Sequence, residues 1–275
     1  MSATTPRLSL PHPDAAESVT LPRVIHSEWT KLWSLRSTRW SLALACVFMV
    51  GLGPLVAAIE MARWNHLSLF EKLTIDPIGR GLAGWNLAFL AISVLGAMTI
   101  TGEYATGSIR STLMAVPRRL PMLWAKIVVY AGVTFVLMLI TSVIGYLIAQ
   151  AIFSQHHVEI PLGQGPSVRV VLGTALFLTA TGIFCLALGT IIRATAGAIA
   201  TYVAVMFVLP PFVDILPQSL QNAIDRWLPL NCGTSLNDLG ASPNQFSPWV
   251  GFAVFCGYTA ILIAIAAYLL KRRDA

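Results

Sequence analysis

Six apolar runs, each near the length needed to cross a bilayer, constrain this 275-residue chain more than any motif in it. They fall at about 40–59, 82–100, 127–153, 170–192, 197–216 and 249–270. A hydrocarbon core of ~30 Å takes about 20 helical residues at ~1.5 Å rise each, so every run can span. No water satisfies the backbone at that depth, and a spanning segment must close its own hydrogen bonds. Runs this long lack the alternation of barrel strands, which leaves helices. Composition agrees: 56% of residues are hydrophobic, 11% are charged and the mean hydropathy is +0.73, outside the range of soluble domains. The expectation is an all-α integral membrane protein with six transmembrane helices across 40–275.

An even number of spans puts both termini on one side, and basic residues choose the side. With the N-terminus inside, all but five of the 18 lysines and arginines, Lys126 and Arg193 among them, lie at the inner surface. The outer segments keep only Arg63, Lys72, Arg80, Arg169 and Arg226. This asymmetry predicts cytoplasmic termini. The net charge of +6 then follows from topology and from attraction to anionic membrane lipids, and calls for no nucleic-acid partner. Residues 1–22 are polar, carry Pro6, Pro11, Pro13 and Pro22 and lack the apolar core of a secretory signal, so they read as a disordered cytoplasmic tail. Cys46, Cys185 and Cys256 fall inside spans and Cys232 stands alone in an outer connection, without a disulfide pattern.

Between 23 and 39 the apolar positions Ile25, Trp29, Leu32 and Trp33 recur at helical spacing, with His26, Ser27, Thr30 and Ser34 opposite. Tryptophans on the apolar face with Lys31, Arg36 and Arg39 nearby suit an amphipathic helix lying in the membrane interface. A plain extension of the first span is the alternative.

The segment 101–119, TGEYATGSIRSTLMAVPRR, is a polar island between two apolar runs. Gly102 and Gly107 loosen the chain, Thr106 or Ser108 can cap a short helix and Pro117 ends it. Ile109 and Leu113, four residues apart, form an apolar stripe, while Arg110 and Ser111 point elsewhere. Two turns of helix are not stable alone, so such a helix needs a surface to pack on. A solvated loop whose arginines only fix topology is the other reading.

The run Glu103, Tyr104, Ala105, Thr106, Gly107, Ser108, Ile109, Arg110, Ser111, Thr112, Leu113, followed by Pro117 and Arg118, resembles the signature of type-2 ABC transporter permeases. In that family the signature lies between the second and third spans and forms the coupling helix that touches the nucleotide-binding subunit. The likeness extends to the six-span frame, to an amphipathic N-terminal helix with the stretch Glu28-Trp29-Thr30-Lys31, and to a long outer connection before the last span. Ser108 stands where threonine is common. The resemblance implies ATPase coupling through Glu103, Tyr104, Gly107, Ser108, Ile109, Arg110, Thr112 and Leu113, and an interface helix using Trp29, Lys31, Trp33 and Arg36. Glu103 and Arg110 are expected to fix the loop by charge-assisted hydrogen bonds. It also implies a bacterial cytoplasmic membrane, a second permease copy, an unidentified substrate and the export direction.

The outer connection, 217–248, follows a fifth span interrupted by Pro210 and Pro211. Broken helices at membrane depth are tolerated only against protein or a water-filled cavity. Leu220, Ile224, Trp227 and Leu228 share one helical face, and family likeness suggests that Pro210, Pro211, Leu220, Ile224 and Trp227 belong to an outer gate; a wet loop with an interfacial tryptophan is the alternative. Gly79, Gly81 and Gly84 spell GxGxxG without a preceding strand, which points to helix packing rather than a dinucleotide. His156, His157 and Glu159 lack metal-ligand spacing. Gly51, Gly53 and Pro54 are expected to kink the first span, with Glu60 at the outer interface.

No GxxxxGK[ST] phosphate loop occurs in the sequence. The expectation is therefore a transport subunit without cofactor or metal of its own, ATP and Mg being bound by a partner ATPase. Few ionisable residues lie mid-span, which weakens an ion-driven carrier. A non-transporting sensor or scaffold that binds an ATPase, or a membrane-embedded enzyme, are the alternatives; the latter lacks clustered carboxylates, histidines or a nucleophile with its base.

Overall fold

The computed structural model describes residues 21–107, 119–240 and 245–272. Among them all regular structure is helical, and six helices are long and apolar enough to cross a membrane. In chain order the elements are α1 (Leu21–Ser34), α2 (Arg36–Ala62), α3 (Leu69–Leu73), α4 (Pro77–Gly81), α5 (Trp85–Ala105), α6 (Arg119–Phe153) and α7 (Ser167–Ile192). After these come α8 (Thr195–Val203), α9 (Leu209–Asp214), α10 (Gln218–Ile224), α11 (Pro229–Thr234) and α12 (Pro248–Arg272).

Helix α7 is the axis of the bundle, packed by α5, α6 and α12, while α2 closes against α5 and α6. Small residues make this possible. Apolar side chains gain nothing by leaving lipid for one another, so spans associate where backbones approach closely. A Cβ on Gly96 of α5 would lie 2.1 Å from the Gly182 carbonyl oxygen of α7, and one on Gly53 of α2 would meet the Gly81 carbonyl of α4. Gly84 abuts the Phe48 backbone in the same way, so two of the three GxGxxG glycines serve close packing. Around these contacts Phe89, Phe177, Phe184, Tyr202 and Phe255 form a connected aromatic core.

The ends of the spans differ from those read in the sequence. The amphipathic helix stops at Ser34, Leu35 is extended, and Arg36–Arg39 open the first span instead of closing α1. Helix α6 is already formed at Arg119, the first described residue after the connection and eight residues ahead of the apolar run, since charged residues at a span's end continue the helix. Helix α2 runs unbroken through Pro54. The fifth span is interrupted as its prolines require: α8 leads into a π-helical turn, Ala204–Val208, and α9 carries Pro210 and Pro211 near its start. Proline withdraws the amide donor that an α-helix needs, and a wider turn absorbs the mismatch.

The connection that follows folds back into the bundle. Cys232 and Leu236 are buried against α7 and α12, and the Ser235 hydroxyl donates to the Pro248 carbonyl at 2.8 Å. At the same end, Asp76 caps α4 through the amides of Ile78 and Gly79, Glu60 pairs with Arg80, and His156 stacks on Trp64 at 4.5 Å. Gln150 of α6 joins two loops there: its amide donates to the Pro77 carbonyl and its oxygen accepts from Ile160 N–H, both at 2.8 Å.

Candidate functional site

Three helices converge at the opposite end. On α1, Val24, Glu28 and Leu32 are spaced by four and form the buried face, which lies on α6. The tryptophans are on the other side: Trp29 and Trp33, 5.8 Å apart, are exposed. A carboxylate on a buried face has to be paired, because an isolated buried charge is far too costly. Glu28 finds Lys126 of α6, with Nζ 2.5 Å from Oε2, and Lys31 of its own helix, 2.8 Å from Oε1.

The same two ammonium groups hold Glu103 of α5. Its Oε1 lies 2.8 Å from Lys126 Nζ and 3.3 Å from Lys31 Nζ. Two carboxylates and two ammonium groups thus alternate around a ring, with Glu28 and Lys126 enclosed and Lys31 at the rim. Burial alone would raise the Glu28 carboxyl, but Lys126 and Lys31 outweigh it and hold the group below the usual carboxylate range. Burial would lower Lys31, yet Glu28 and Glu103 reverse the sign and hold its ammonium above the usual lysine value.

The ring sits where α5 ends. Thr106 N–H bonds back to the Gly102 carbonyl, and Gly107 turns the chain out with φ of +69°, in the left-handed region that glycine enters without steric cost. On the far side of the helix end, the Arg193 guanidinium lies 5.0 Å from the centre of the Tyr104 ring, and the Thr101 and Thr195 hydroxyls meet at 2.7 Å. The last turn of α5 is therefore fastened to α1 and α6 on one flank and to the α7–α8 junction on the other. Nothing in this arrangement is a nucleophile paired with a base; its chemistry is that of a mechanical clasp.

Of the residues singled out in the sequence, Glu103, Tyr104 and Gly107 come together here, joined by Lys31. Ser108, Ile109, Arg110, Thr112 and Leu113 lie outside the described residues; of the expected disordered tail 1–22, residues 1–20 also lie outside them, while Leu21 and Pro22 belong to α1, whose first turn proline suits. Glu103 bonds to lysines of α1 and α6. Arg36 is the first residue of α2 and does not enter the ring. At the other end, Pro210 and Pro211 break the fifth span. Leu220 and Ile224 are exposed on α10, and Trp227 stands edge-on to Phe246 at 4.9 Å; Leu228, expected on their face, is buried.

Sequence reasoning did not single out Glu28 and Lys126 as partners. A signal for Glu28 existed, since its four-residue spacing from Val24 and Leu32 puts a carboxylate on an apolar face. Lys126 was read only for topology, and nothing local reveals a partner 98 positions away.

A search of curated proteins finds no match. The family model described as ABC-2 family transporter protein matches residues 77–275, from α4 to the C-terminal end, and leaves α1 and α2 outside the matched region. With six membrane-crossing helices and a match over most of its length, this chain belongs to the ABC-2 family of transporter proteins and is a multi-pass membrane permease.

Proposed function

We propose that the chain is the permease subunit of an ATP-driven exporter, with a separate ATPase docking on the connection between α5 and α6. The observation that carries this reading is the charge ring. It joins the end of α5 and the early turns of α6, the helices that flank the connection, to the amphipathic helix α1. A push on the connection would thus reach three helices at once. Rigid-body movement of packed helices is a common way for such a push to open a path.

In this reading α1 and the connection face the cytoplasm, two permease copies enclose the path, and Ile109 and Leu113 of the connection seat on the ATPase while Arg110 anchors the loop. ATP and Mg belong to the partner, in keeping with the missing phosphate loop. The test is to reconstitute the permease with its ATPase and to compare wild type with Arg110→Glu. Loss of permease-stimulated hydrolysis, with the mutant still in the membrane, is the expected result. Undiminished stimulation would overturn the docking assignment.

A further inference from the structure

A cavity of about 250 Å³ lies beside the charge ring, between α1, the start of α2, α5 and α6. Most of its wall is apolar, from Leu32, Leu35, Met98, Val129 and the Tyr130 ring. Lys31 and Leu35 line it and are partly exposed, so it opens to the surface beside α1. An apolar cleft with a few fixed polar groups is the usual form of a small-molecule site.

The polar groups decide what fits. In the wall, the hydroxyls of Ser34, Thr99 and Tyr130 donate to the backbone carbonyls of Lys31, Gly96 and Ile92. Both oxygens of Glu28 and the ammonium groups of Lys31 and Lys126 are engaged in the ring. Glu103 is different. Its Oε1 takes both lysines, while its Oε2 is buried and accepts no hydrogen bond among the described residues. An ionised carboxylate can only accept, so the group that completes it is a donor, and leaving a buried acceptor unpaired is costly.

Charge narrows the donor further. Glu28 and Glu103 balance Lys31 and Lys126, and among the described residues no other charged side chain lines the cavity. A cation at Oε2 would leave the ring with an excess positive charge beside two ammonium groups, and an anion would lie against two carboxylates. A neutral donor disturbs neither balance. A water molecule would satisfy Oε2 but gain nothing from the apolar wall, which offers it few partners. We propose that the cavity binds an uncharged amphiphile. Its hydroxyl or amide N–H donates to Glu103 Oε2, and its apolar body fills the slot between Leu32, Leu35, Met98 and Val129. Trp29 and Trp33, exposed on α1, mark the level of the membrane interface, so the amphiphile arrives from the bilayer. The site rests on the ring and the cavity and does not depend on an ATPase docking nearby.

The experiment photolabels the protein in phosphatidylcholine vesicles with octyl probes carrying a diazirine: the alcohol, its methyl ether, the amine and the carboxylate. Mass spectrometry compares label at Leu35, Met98 and Val129 with label at the exposed Val47 and Leu55 of α2, which corrects for partition into the bilayer. In wild type the alcohol is expected to label the cavity about tenfold more than the ether, near 1.4 kcal/mol of binding, and more than either charged probe. Glu103→Gln can place an amide N–H where Oε2 stood, and alcohol and ether both accept from it, so the preference for the alcohol should vanish. Leu35→Trp, which narrows the slot, should lower the alcohol's label. The wild-type comparison stays decisive whether or not Glu103→Gln folds. Equal label from alcohol and ether in wild type would overturn the proposal. So would stronger label from the amine, which would make the site one for a cation, or cavity label no higher than at Val47 and Leu55, which would leave the cavity to water.

Discussion

Lys126 reaches Glu28 across 98 positions of sequence at 2.5 Å, and neither side chain exposes more than 6% of its surface. Such a pair is worth less than its Coulomb energy, because both ions were taken out of water. Its weight shows when it is broken.

Replacing Lys126 by methionine leaves Glu28 and Glu103 to share Lys31. Removing one partner of a buried pair costs about 3–5 kcal/mol, so the melting midpoint of the purified protein should fall steeply. Adding Glu28→Gln to Lys126→Met should recover part of the loss. Equal midpoints for the single and double variants would argue against direct coupling between the two residues.

The ring should also set a pH window for the attachment of α1. Glu28 has a folded pKa below its unfolded value, so its contribution is present above about pH 4.3 and is lost as pH falls through the lower folded value. Lys31 has a raised pKa, so its contribution is full below about pH 10.4 and is lost as pH rises beyond that. Tryptophan fluorescence from Trp29 and Trp33 should stay constant between these limits and change outside them. A transition near pH 7 would contradict the assignment.

Gly107 leaves open space where a Cβ would go, so any penalty there is a backbone penalty. A β-branched residue forced into the left-handed region costs about 1–2 kcal/mol, and asparagine costs less. Gly107→Val should therefore reduce ATPase stimulation in reconstituted vesicles, and Gly107→Asn should restore most of it. The melting midpoint should move little in either, because the strain lies in a connection and not in the bundle.

Gly96→Val tests the central contact. With the Gly182 carbonyl 2.1 Å from the new Cβ, α5 and α7 must separate. Overpacking of this kind typically costs about 1–3 kcal/mol, read as a lower melting midpoint. Gly102→Val, on an exposed position of the same helix with nothing near its Cβ, should be milder.

Gln150→Leu should loosen the other end of the molecule. It deprives the Pro77 carbonyl and the Ile160 amide of their partner together, and each buried unpaired group costs about 1–3 kcal/mol. Faster hydrogen exchange at Ile160 than in wild type is the expected readout.

The six spans were legible because membrane burial is written in composition, residue by residue. Their ends were not. Arg36–Arg39 looked like the tail of an amphipathic helix, but charges at that level can begin a span as readily as they end a surface helix. The π-helical turn at 204–208 was foreshadowed by Pro210 and Pro211, though its form depends on how Met206 and Tyr202 settle into the core. The tryptophans of α1 read as the amphipathic face, whereas packing on α6 chose the face with Val24, Glu28 and Leu32. At the candidate site, Glu103 and Gly107 stood out within a polar island. Glu28 and Lys126 acquire meaning only when distant helices meet.

The paired bonds of Gln150 have a mechanical corollary. At that end, loops, the cap on α4 and the Glu60–Arg80 pair bind neighbouring helices through short, directional links. The Glu28 end relies instead on ions that can trade partners within one ring. A sheaf tied tightly at one end and clasped by exchangeable charges at the other resists sliding but can splay, like the legs of a tripod about its head. Small displacements beside Gln150 would therefore accompany the largest ones beside Glu28, and under the proposed function the stroke would be angular.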